Sequence, residues 1–108
     1  MQEQEIQECI AIAELQQLIK QSPEQVTIVD VRNPEEYAEK HIPGAINIPL
    51  SELESRSKGL SKDTQVITAC GKGGGRSAQA AELLKQMGFI KAAFLCGGTF
   101  GWYERTNT

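Results

Sequence analysis

The chain has 108 residues, 40% of them hydrophobic and 23% charged, with a formal net charge of −3 at pH 7. That length suits one domain with one core, and the composition excludes disordered, collagen-like and membrane classes. The eleven Lys and Arg are scattered, which leaves no basic footprint for nucleic acid or an anionic membrane, and no run approaches the roughly 20 apolar residues of a membrane span.

Residues 2–8 read as an acidic, solvated start. With neither a basic leader nor an apolar stretch of signal-peptide length, the expected location is cytoplasmic. Cysteines stand at 9, 70 and 96, an odd number without a CxxC pair, so reduced thiols are expected, and one histidine cannot complete a zinc site of usual spacing. Leu15, Leu18 and Ile19 predict a short helix over Ala13 to Gln21, ended by Pro23. Val26 to Val31 is β-branched and nearly all apolar, as in a strand covered on both faces. Asn33, Pro34 and Glu36 supply a cap, a first-position proline and a capping-box glutamate for a helix through Lys40. The turn His41-Ile42-Pro43-Gly44 follows, where His41 is expected to brace the turn, and Ala45 to Ile48 reads as a short strand. Ser51 to Glu54 reads as a second capping box, followed by a polar loop over Ser57 to Asp63.

Gln65 to Ala69 is a second buried-type strand that runs into Cys70, and from Ser77 a run of strong helix formers is stopped by Gly88. Ala92 to Cys96 reads as the last strand, followed by Gly97-Gly98 and a short helix containing Trp102, a core residue. Cys9 is expected to pack in or near the first strand. Cys96, at the end of the last one, is expected to be packed, with a resolving role as the alternative. The alternation of strands and helices predicts an α/β domain on a mostly parallel sheet, in which ligands bind beyond the carboxyl ends of the strands. Cys70 stands at one of those ends.

The segment Cys70-Gly71-Lys72-Gly73-Gly74-Gly75-Arg76-Ser77 holds four glycines between a strand and a helix. Such a loop can turn its amides inward as an anion cradle, and the positive end of the following helix favours a thiolate at Cys70. Arg76 supplies a bidentate fork for an oxyanion and Lys72 a more mobile charge. Nucleophile and anion receptor then share one pocket.

Val29-Asp30-Val31-Arg32, Glu36-Tyr37, the run His41 to Pro49, the Cys70 loop and Cys96-Gly97-Gly98 with Trp102 together resemble a single-domain rhodanese, over about residues 10–104. The resemblance implies a rhodanese-like α/β fold, a mostly parallel five-stranded sheet with helices on both faces. It also implies a sulfurtransferase in which Cys70 takes a sulfane sulfur from thiosulfate or a persulfide and passes it to a thiol or cyanide. Asp30 and Arg32 would lie near the pocket and support its loop. The expected partners are a small anionic donor and a thiol acceptor, without nucleic acid, membrane, metal or organic cofactor. One departure stands out: single-domain rhodaneses commonly place four residues between Cys and Arg, whereas five stand here, Gly71 to Gly75. That spacing is shared with cysteine-dependent phosphatases and arsenate reductases, which remain the alternative, beside a sulfur-carrier or regulatory binding module. Ala69 stands where the phosphatases usually have histidine, and no carboxylate lies within the loop, which favours sulfur transfer.

Overall fold

The two β-branched runs form the paired centre of a five-stranded sheet in the computed structural model, which describes residues 9–72 and 74–106. In chain order the strands and α-helices are β1 (Cys9–Ile10), α1 (Ile12–Gln21), β2 (Val26–Asp30), α2 (Pro34–Glu39), β3 (Ile46–Asn47), α3 (Leu53–Arg56), β4 (Gln65–Ala69), α4 (Gly75–Gln86), β5 (Ala93–Leu95) and α5 (Gly98–Thr106). The strand order is β1-β5-β4-β2-β3, with every pairing parallel. No helix among the described residues is long and apolar enough to cross a membrane.

Alternate side chains of the central strands serve opposite faces, as the pleat requires. Val29, Val31 and Val66 pack with Leu53, Ala80 and Leu84 on the face covered by α3 and α4. Ile28, Ile67 and Ala69 pack with Leu15, Ile42 and Leu95 on the other, where Trp102 joins them. Burying both faces is what makes these strands apolar throughout. The expected cap of α2 is realised, with the Asn33 amide donating to Glu36 Oε1 at 3.0 Å.

Two expectations give way. The Ser51 capping box does not form, because the chain there is a 3-10 turn, Leu50–Glu52, that runs into α3. The Leu50 amide donates to the carbonyl of Val31 at 3.1 Å, so a bond to the sheet overrides the local signal. Ser57–Gly59 is likewise a 3-10 turn rather than loop, with Ser57 buried and its hydroxyl donating to the Leu53 carbonyl at 2.6 Å.

A third correction concerns the cysteines. Cys9 and Cys96, expected to remain reduced, form a disulfide, while Cys70 is not disulfide-bonded. Parallel pairing of β1 with β5 places Cys9 opposite Phe94, and the Cys96 amide donates to the Ile10 carbonyl at 2.9 Å. The two Cα atoms are thereby 5.0 Å apart, within bridging reach. Denatured protein should therefore take up one equivalent of maleimide before reduction and three after it, and three before would contradict the bridge. Reduction should lower stability by about 2–4 kcal/mol, read as a shift of the urea midpoint.

Candidate active site

Cys70 begins where β4 ends, and two backbone hydrogen bonds hold it there. Thr99 N–H donates to the Cys70 carbonyl at 2.8 Å, and Phe100 N–H to that of Gly71 at 2.9 Å, so the first turn of α5 braces the start of the loop. The chain enters α5 through Gly97 and Gly98, whose φ angles of 80° and 62° suit glycine. Gly71 packs closely under Phe100, since a Cβ there would lie 3.2 Å from the ring and oblige it to shift.

The Cys70 sulfur is buried, 3.3 Å from both the Gly74 carbonyl oxygen and Ser77 Oγ. Ser77 Oγ in turn donates to the Gly74 carbonyl at 3.0 Å. Thr68 Oγ1 donates to the Ser77 carbonyl at 2.7 Å, which pins the first turn of α4 to β4. The Ser77 amide donates back to the Gly74 carbonyl at 2.9 Å, and the start of the helix carries the positive end of its dipole.

An open cavity of about 510 Å³ brings Cys70, Gly71, Lys72, Gly74, Gly75 and Arg76 together and adds Glu36 and Phe100. Ser77 reaches the sulfur from beneath, and Gly73 lies outside the described residues. The fork of Arg76 is already engaged, with Nη1 and Nη2 donating to Glu36 at 3.1 and 3.4 Å. This bond is the main influence that raises the Arg76 pKa. It also holds the Glu36 carboxyl below its ordinary range, helped by the Asn33 amide.

Asp30 and Arg32 form a buried ion pair, with Nη2 to Oδ2 at 2.7 Å and the Arg32 amide donating to Oδ1 at 3.0 Å. The same Nη2 donates to the Lys40 carbonyl at 2.6 Å. The pair therefore holds the end of α2, and the Arg32 pKa is raised mainly by its bond to Asp30 and in smaller part by Glu36 and Cys70. Arg32 Cζ lies 6.0 Å from the Phe100 ring centroid, and Arg32 lines a second cavity of about 440 Å³ that shares Glu36 and Phe100 with the first.

His41 Nδ1 lies 2.8 Å from the Tyr37 carbonyl, and its ring stacks on that of Tyr37. Cys96 offers no thiol for a resolving role, since its sulfur is bonded to that of Cys9. Sequence reasoning missed Glu36 as the partner of Arg76, although its charge was a signal. It also missed Thr99 and Phe100, which act through backbone amides that carry no sequence signature.

A family model described as the rhodanese-like domain matches residues 11–105. The chain is 37% identical over 79 residues to a sulfurtransferase of Allochromatium vinosum, across 73% of each protein. It is 39% identical over 86 residues to YrkF of Bacillus subtilis, a match that takes in 80% of this chain but 46% of YrkF, so it spans less than half the length of that relative. Among solved structures, a Rhodopseudomonas palustris protein described as a possible tyrosine phosphatase is similar with a TM-score of 0.81 and 29% identity, over 93% and 82% of the two chains.

Proposed function

The chain belongs to the rhodanese-like domain family, and from that premise we propose that it is a sulfurtransferase whose Cys70 carries the sulfur. The observation that carries the reading is the single cysteine outside a disulfide among the described residues, placed on the lining of an open cavity and at the positive end of α4. In the first half-reaction the Cys70 thiolate attacks the sulfane sulfur of the donor. A new S–S bond forms on Sγ, the donor's own bond to that sulfur breaks, and the electron pair leaves with the departing sulfite or thiolate. In the second, an acceptor thiolate or cyanide attacks the outer sulfur of the Cys70 persulfide and releases the Cys70 thiolate. Ser77 Oγ, 3.3 Å from the sulfur, can turn its proton toward either anionic form. The helix end favours both forms without rearrangement.

The five-residue spacing and the R. palustris neighbour favour a phosphatase as the second reading. That chemistry needs a general acid at the leaving oxygen. Glu36 is the one carboxylate lining the cavity among the described residues, and its bond to Arg76 favours the ionised form. Sulfur transfer asks for no such acid when the leaving group is sulfite or a thiolate.

Intact-mass measurement tests the assignment. Wild type treated with thiosulfate or an alkyl persulfide should gain one sulfur atom, removable by excess thiol, whereas Cys70→Ser should gain none. No added sulfur from either donor, or Cys70-dependent aryl phosphate hydrolysis faster than sulfur transfer, would overturn it.

A further inference from the structure

We propose that Glu36 selects the sulfur donor by charge, occupying Arg76 against inorganic dianions and leaving the cavity to organic persulfides, R–S–SH. The inference rests on the sulfur-transfer reading of Cys70. Its basis is that both terminal nitrogens of the fork that would grip an oxyanion are already bonded to Glu36, at 3.1 and 3.4 Å. Glu36 is not free to swing aside without loss, because Oε1 also accepts the Asn33 amide that caps α2.

The charges lining the cavity are the cations Lys72 and Arg76 and the anions Glu36 and, when ionised, Cys70, which cancel. Arg32 adds nothing net, being paired with buried Asp30. Beyond Phe100 the second cavity presents Glu39, Glu104 and Lys40, again without surplus positive charge. A thiosulfate dianion would therefore meet the Cys70 thiolate with no uncommitted guanidinium to offset it, and like charges so close repel. A persulfide in its R–S–SH form brings no charge to the encounter. The thiolate takes its outer sulfur, the S–S bond breaks, and the products are Cys70–S–SH and RS⁻, with charge and atoms conserved. Phe100, 48% exposed on the rim shared by both cavities, offers the R group an apolar face that an inorganic anion cannot use.

The test compares wild type, Glu36→Gln and Glu36→Asp. Gln keeps an oxygen for the Asn33 amide but drops the charge, and Asp keeps the charge. Two quantities are measured: the rate of Cys70 persulfidation by thiosulfate relative to hydroxyethyl persulfide, and the protection of Cys70 from iodoacetamide by inorganic phosphate. In Glu36→Gln the thiosulfate-to-persulfide ratio should rise about three- to tenfold, the size a partly solvated charge contributes, and phosphate should protect at correspondingly lower concentration. Both changes should shrink at about 1 M salt. Glu36→Asp keeps the charge on a shorter stem, so both changes should be smaller in it than in Glu36→Gln. An unchanged ratio and unchanged protection in Glu36→Gln would overturn the inference, as would Glu36→Asp behaving like Glu36→Gln. If wild-type Cys70 gains sulfur from neither donor, the sulfur-transfer reading fails, and the phosphate arm alone still decides whether Glu36 governs anion entry.

Discussion

Cys70→Ser should remove sulfur transfer, by about a thousandfold or more, and leave the domain folded. The size follows from the chemistry: both half-reactions pass through a bond on Sγ, and a serine hydroxyl is neither ionised at neutral pH nor able to hold a sulfane sulfur, so the loss is that of the whole nucleophilic route. Stability should change little for a local reason. Cys70 sits 3.3 Å from the Gly74 carbonyl and from Ser77 Oγ, so a serine hydroxyl has an acceptor waiting in place of the thiol. Sulfur release to cyanide, followed as thiocyanate, and urea unfolding of the same preparation give the two readings. Turnover comparable with wild type would remove Cys70 from the mechanism.

Asp30→Asn should be the most destabilising single change of similar shape, at about 3–5 kcal/mol. Arg32 is 2% exposed and keeps its charge, so without the carboxylate a guanidinium is left buried with only the Lys40 carbonyl and an amide oxygen to satisfy it. The cost is that of the stranded charge more than of the lost contact, which gives the prediction a second arm. Removing both charges, as Asp30→Asn with Arg32→Met, should recover part of the loss, because burying an uncharged pair is cheaper than burying one ion. Urea midpoints at unchanged slope report the difference. A single variant within about 0.5 kcal/mol of wild type would mean that the pair is solvated and does not anchor α2.

Whether a feature was legible in the sequence depended on how far apart its parts lie. The strand over Gln65–Ala69, the loop and the helix from Gly75 are local, and period, glycine content and helix propensity mark each of them. The α2 cap was legible because Asn33 and Glu36 sit three residues apart. The bond of Glu36 to Arg76 spans 40 residues and the bridge of Cys9 to Cys96 spans 87, and both arise from sheet order and register. No periodicity encodes those. The Ser51 box failed for the converse reason, because a correct local signal lost to the bond between Leu50 and Val31 on the sheet.

The bridge between Cys9 and Cys96 also changes how the domain would bear a mechanical load. The two sulfurs join positions 87 residues apart whose Cα atoms are 5.0 Å apart, so a pull applied to the chain on either side passes through a covalent clasp rather than through the sheet. The strands and the Cys70 loop lie inside the clasp, whereas α5, whose Thr99 and Phe100 brace that loop, lies beyond Cys96 and would take the load first. Only reduction releases the enclosed chain, whose extended length is about 300 Å. Oxidised, the domain would act as a short inextensible link whose sheet stays at rest, while a pull on the chain after Cys96 would reach the working site only through α5.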